Sequence, residues 1–227
     1  MKLSDEYIQK VVVSGNVEHN QTIVLKPYDK QWPILFEREK QRISNILKDK
    51  ALMIEHIGST SVEGLMAKPI IDILLVVEDA SREEDYLDAL VSHGYVLRIK
   101  EPEFENHHMF KGPDTDINLH VFSQGSKEID KYLIFRNYLR KNKKARQLYE
   151  DTKKQLAKKT WKYVQNYADA KSEVVQHIMD EAIKEKIKCI VKLIANENLN
   201  QQNKGNSPNK IPMPCFMMKK IHAHPYT

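Results

Sequence analysis

The sequence predicts an α+β protein, a small mixed sheet followed by a helical C-terminal half. Three observations carry this. Short apolar runs rich in β-branched residues crowd between residues 52 and 122. After Ser126 the apolar spacing turns helical and stays so to about Asn196. Hydrophobic residues make up 41% of the 227, enough for a core, and the longest aliphatic run is only Ile73 to Val77. No stretch approaches the roughly 20 apolar residues of a spanning helix, and the N-terminus carries no apolar signal core, so a soluble, cytoplasmic protein is expected.

Residues 1–20 are polar and weakly patterned and read as an N-terminal extension, a frayed helix and a linker. Thr22 to Leu25 is a short β-prone run, and Asp29 is placed to cap a helix with Trp32 and Pro33 in its first turn. Leu52 to Ile57 reads as a strand, His56 to Ser61 as a small-residue turn, and 62–66 as a short helical turn. Ile70 to Val77 is the strongest strand signal, with Asp72 as its single acid. A helix is predicted from Ser81 to His93, stopped by Gly94, and then strands at 95–99, 108–111 and 117–122. Three helices follow, at 127–141, 143–159 and 166–198. Residues 199–227 have the asparagine- and proline-rich composition of a disordered tail, which leaves one domain over 21–198.

The two cysteines, Cys189 and Cys215, stand in no metal-ligand spacing, so neither a zinc site nor a disulfide framework is indicated. Net charge is only +5, but nine bases against two acids lie between Lys141 and Lys162. Such a stripe suits an anionic ligand or a solvated helix face; few aromatics interleave it, so nucleic acid ranks below a small phosphate compound.

Chemistry concentrates around one unit. Gly58 lets backbone approach a phosphate, while Ser59, Thr60 and Ser61 offer hydroxyls and free N–H groups at a helix start. Lys68 adds a positive charge, and Asp72 is a hard oxygen donor for a divalent metal, Mg²⁺ above others. A strand, a Gly-Ser turn and an acidic strand make the layout of the nucleotidyltransferase fold. That layout has a second acid two residues on, where this chain has Leu74, and a third on a later strand, where it offers Asn118 and His120. One carboxylate cannot hold the metal pair that two would. His56, His108 and His120 are therefore candidates, with Asp72, for a mixed metal or acid–base site, His56 and His120 as catalytic groups and His108 and His120 as ligands. His107 and His108 are adjacent, so strand alternation aims only one of them inward. In the helical half, Arg136 and Arg140, Tyr149 and Lys153, and Tyr167 and Lys171 are each four apart, hence on common faces. They are candidates for the basic wall of a phosphate pocket.

The stretches LKPYDKQWPILFEREKQRI, IEHIGSTSVEGLMAKPIIDILLVV and NLHVFSQGSKEIDKYLIFRNYLRKN, with LYEDTKKQLAKK and YADAKSEVVQHI after them, resemble the GrpB family from about Ile23 to Ile183. The resemblance implies a nucleotidyltransferase-like sheet followed by helices. The expected function is that of a nucleotidyltransferase, or of a non-catalytic module on the same fold that binds a nucleotide or CoA-like phosphate compound.

Overall fold

The sheet begins where β-branched residues are densest. In the computed structural model, which describes residues 4–15 and 20–203, β1 (Met53–Ile57) and β2 (Ile71–Val77) pair antiparallel. β3 (Val96–Glu101), β4 (His107–Lys111) and β5 (Ile117–Ser123) complete a five-stranded mixed sheet in the order β1-β2-β5-β4-β3. β2 and β5 are parallel and central, which is why β2 is a nearly unbroken apolar run covered on both faces.

Register sorts the side chains. Asp72 lies opposite Ile57 and Asn118, Leu74 opposite His120, and Met109 opposite His120. These residues share one face of the sheet. Ile73, Leu75, Leu119 and Val121 take the other, against Trp32, Phe36, Ile43 and Leu47 of α2 (Gln31–Leu47) and Leu90 of α3 (Leu87–Ser92). The N-cap of α2 is Lys30, and Asp29 stands just before it, its Oδ1 accepting from Gln31 N at 2.8 Å.

The Asp72 face is covered by the helical half: α4 (Lys127–Lys141), α5 (Lys143–Ala157), α6 (Val164–Asp169) and α7 (Ser172–Asn203). Ile129 and Tyr132 of α4 pack on Leu74, Val76 and Phe122. Leu139, Tyr149, Val175, Ile178 and Met179 make an interhelical core with Val62 and Leu65. Ser126 caps α4, its hydroxyl accepting from Glu128 N at 3.2 Å.

Several expectations are corrected. Thr22 to Leu25 forms no strand; isolated bridges join Gln21 to Trp161 and Lys26 to Ala67 instead. The turn of helix falls at Ser59–Ser61, not at 62–66. The helix from Ser81 is reduced to a short turn at Glu83–Asp85 and to α3, because Asp79 Oδ1 accepts from both the N–H and the hydroxyl of Ser81, holding that backbone outside a helix. The single helix over 166–198 is two, α6 and α7, broken at Ala170 and Lys171, where the Ser172 hydroxyl donates to the Asp169 carbonyl at 2.7 Å. The apolar stripe of α7 is buried only to Ala182; Ile187, Ile190, Val191 and Ile194 are exposed.

The N-terminal segment is also structured. α1 (Asp5–Val11) buries Ile8 and Val11 against Ile99, Met109 and Tyr163. The predicted tail starts within the last turn of α7, and its remainder, from residue 204, lies outside the described residues. No helix among the described residues is long and apolar enough to cross a membrane.

Candidate functional site

Between the Asp72 face of the sheet and the helices lies a cavity of about 250 Å³. Its floor is strand: Asp72 from β2, Asn118 and His120 from β5, Met109 from β4. Gly58 and Ser59 form one edge, and Tyr149, Lys153, Tyr167 and Lys171 come down from the helical half.

The Gly-Ser turn and the acidic strand are fitted to each other. Gly58 has φ +68°, a left-handed conformation, and a Cβ there would lie 2.9 Å from Asp72 Cβ and nearer still to its carboxylate. Glycine thus lets β1 turn directly over Asp72. Asn118 Nδ2 donates to Asp72 Oδ1 at 2.7 Å, which fixes the carboxylate plane.

Lysine dominates the electrostatics. Lys68, Arg98, Lys111, Lys153 and Lys171 line the cavity against one carboxylate, Asp72. Lys153 is 2% exposed; its Nζ donates to Ser59 Oγ at 3.1 Å and to the Met66 carbonyl, and lies 4.8 Å from the Tyr149 ring centre. Burial, aided by the Lys171 charge, pushes Lys153 down to about 7. Burial also pulls Lys171 down, and Lys68 is lowered by burial and by Lys111. The Tyr167 hydroxyl is buried without a hydrogen-bond partner among the described residues, and burial pushes it up to about 12.

Nine of the sequence-predicted residues line this cavity: Gly58, Ser59, Lys68, Asp72, His120, Tyr149, Lys153, Tyr167 and Lys171. Six do not, and each has a structural employment. His56 pairs with Ile73, so it points to the opposite face from Asp72, stacks on Phe36 at 4.7 Å and meets Thr60 Oγ1 at 3.0 Å. Thr60 donates to the Ile70 carbonyl, and the Ser61 hydroxyl donates to Gly58 O at 2.6 Å. His108 is also on the far face, against Tyr86 and Glu83, so it cannot share a metal with Asp72. Arg136 and Arg140 do share a helix face, but it turns toward backbone. Arg136 donates to Glu55 at 2.6 Å and to the His56 carbonyl at 2.9 Å; Arg140 donates twice to the Ser61 carbonyl, at 3.0 and 2.8 Å. These two arginines fasten α4 behind the Gly-Ser turn rather than face a ligand.

Asn118, Lys111 and Arg98 belong to the site and were not among its predicted residues. Alternation places Asn118 two positions before His120, so it had a local signal. Arg98 and Lys111 had none.

The donor set does not fit a pair of magnesium ions. Leu74, at the position of the second acid, is fully buried among Ile57, Val76 and Phe122, and β5 contributes Asn118 and His120. Among the described residues no group of three or more His, Cys, Asp and Glu is arranged to hold a metal. Lys68, Lys153 and Lys171 line the same space as the single carboxylate, and their charge disfavours a second cation.

Comparison with known proteins agrees with this architecture. The family described as GrpB protein matches residues 22–181. A UPF0157 protein of Halalkalibacterium halodurans is 55% identical over 179 residues, which cover 79% of this chain and 92% of that protein. The crystal structure of conserved protein GrpB from Enterococcus faecalis superposes with a TM-score of 0.64 at 34% identity, covering 72% of this chain and 99% of that one. A structure of the Cid1 poly(U) polymerase aligns with a TM-score of 0.45 at 12% identity, over 59% of this chain and 43% of that one. The extent of the family match and the identity to these relatives show that the chain belongs to the GrpB family.

Proposed function

We propose that the cavity binds a phosphate-bearing small molecule, a nucleotide or a CoA-like compound, and that it does so as a binding site rather than as a two-metal transferase. One observation carries this reading: several buried or partly buried lysines converge on a space that contains a single carboxylate. A buried ammonium without a counter-anion is costly, and an anionic ligand relieves that cost. Lys153 and Ser59 would take one phosphate and Lys171 and Lys68 its neighbour, with the Tyr167 hydroxyl as a further donor. Transfer through metal on Asp72 needs a second carboxylate that Leu74 does not supply, whereas binding needs only the lysines.

Four of the nine bases of the stripe are already engaged, which favours the small ligand over nucleic acid. Lys153 is in the cavity, Lys154 pairs with Glu150 at 2.6 Å, Lys162 pairs with Asp5 at 2.5 Å, and Arg146 donates to the carbonyls of Leu139 and Arg140.

The test is thermal stabilisation by nucleoside triphosphates and by CoA, with and without Mg²⁺, on wild type, Lys153→Met and Lys171→Met. A ligand at 100 times its Kd adds about 2.7 kcal/mol. The expected result is metal-independent stabilisation that the lysine variants lose while remaining folded, since methionine keeps the buried stem and removes the desolvated charge. Stabilisation by none of the compounds, or stabilisation untouched in both variants, refutes the reading. Stabilisation that requires Mg²⁺ and disappears in Asp72→Ala restores the transferase.

A further inference from the structure

His120 reaches the cavity at the end of a buried chain of polar groups. Glu101 on β3, His107 on β4 and His120 on β5 lie on the Asp72 face, with exposures of 1%, 0% and 6%. Glu101 Oε2 meets His107 Nδ1 at 2.7 Å, and His107 Nε2 meets His120 Nδ1 at 3.0 Å. At the far end the Tyr7 hydroxyl of α1 donates to Glu101 Oε1 at 2.6 Å. The rings are held flat: Phe122 stacks on His107 at 4.7 Å, and the His107 and His120 planes lie within 12° of each other. Tyr7 lies outside the segment that matches the family, so the chain of contacts extends past it.

The order of donors follows from elementary chemistry. With Glu101 ionised, its oxygens only accept, so His107 donates from Nδ1. Burial pushes His107 down to about 3, which leaves it neutral at physiological pH with a lone pair on Nε2. That lone pair accepts the Nδ1–H of His120. Burial and His107 likewise hold His120 at about 3, so its remaining nitrogen, Nε2, is unprotonated. The nearest charges on the cavity side are Asp72 and Lys111, which act on His120 in opposite senses.

We propose that Glu101 and His107 are positioning residues that hold His120 in its Nδ1–H form, so that the cavity wall carries a fixed acceptor and takes a phosphate compound that also bears an O–H or N–H donor. The ligand part rests on the binding reading above; the tautomer part does not. The lysines read the anion, and His120 Nε2 reads the group attached to it. A fully deprotonated phosphate chain has no donor to offer that acceptor.

The first measurement uses the full chain labelled with ¹⁵N-histidine, by long-range proton–nitrogen correlation at neutral pH without ligand. His107 and His120 are expected to show a protonated Nδ1 and an unprotonated Nε2 each, assigned by loss of the signal in His120→Phe or, if that variant does not fold, in His120→Gln. A protonated Nε2 on His120, or both nitrogens protonated on His107, overturns the proposal. Glu101→Gln replaces a pure acceptor by a group that also donates, so the single pattern should give way to a mixture; an unchanged pattern removes Glu101 from the positioning role. The second measurement compares ATP, which carries hydroxyl and amino donors, with inorganic triphosphate. His120→Phe should weaken ATP by about three- to tenfold, the worth of one neutral hydrogen bond, and leave triphosphate unchanged. Equal losses on both, or none on ATP, overturn the donor requirement. If wild type binds neither probe, the cavity reading fails, and the nitrogen pattern still decides the relay on its own.

Discussion

At the scale of single residues, Gly58 is the position where backbone and chemistry meet. Its φ of +68° and its contact with Asp72 are two separate reasons for glycine. Gly58→Ala is expected to cost roughly 1–3 kcal/mol for the backbone conformation, and more for the collision with the carboxylate. The Gly58→Ala/Asp72→Ala double variant should recover the carboxylate part of the collision but not the 2.9 Å approach of the two Cβ atoms, so the two changes should be non-additive when unfolding is followed in urea. Strict additivity would mean that the turn does not rest on Asp72. Lys153 shows how the same residue type differs with place. Lys154, its neighbour, is exposed and held up by Glu150, whereas Lys153 is buried and pushed down.

At the scale of elements, α1 shows how much a short helix can do. It packs Ile8 and Val11 against Ile99 and Met109, which line the cavity, and its Tyr7 hydroxyl donates to Glu101. Ile8 is fully buried, and Ile8→Ala should destabilise by about 2–4 kcal/mol if α1 is docked in solution. A frayed helix would lose less than about 0.5 kcal/mol, so the urea midpoint separates the two states. α4 works differently. Its two arginines bind carbonyls of the β1 strand and of the turn beside it, which holds the Gly-Ser edge in place from outside the cavity.

For the whole molecule, the consequence of placing the helical half on the sheet is that the proposed phosphate site should depend on pH. Lys153 with a value of about 7 is only partly charged at neutral pH in the free protein. A bound phosphate favours its charged form, so binding takes up a proton there. The sign follows: affinity is highest below pH 7 and falls above it, approaching about tenfold per pH unit from this one group. Calorimetric titration of the stabilising nucleotide at several pH values, in two buffers of different ionisation heat, measures both the fall and the proton uptake. Affinity that is flat from pH 6 to pH 9 would remove Lys153 from the ligand.

Much was legible locally. Five strands and the helices α2, α4 and α5 follow from apolar spacing, capping residues and β-branched runs, because those are interactions within a few residues of one another. The Gly58–Ser59 turn, Asp72 and the Tyr149–Lys153 face were readable for the same reason. The lone apolar residues of α1 were not, since three of them in a polar segment make no period. Nor was the fate of the arginines. A spacing of four states that Arg136 and Arg140 share a face, but not what that face meets. The two sheet faces separate His56 and His108 from Asp72 and bring His107 and His120 to it, and that depends on register between strands far apart in the chain. Ser59 and Lys153 are 94 residues apart, and only packing α5 against the turn places them at 3.1 Å. The sequence by itself determined the elements and the GrpB membership, since both are carried by local pattern. Tertiary structure alone decided which charges are buried together, because burial and its electrostatic cost arise only when distant segments exclude water from the same space.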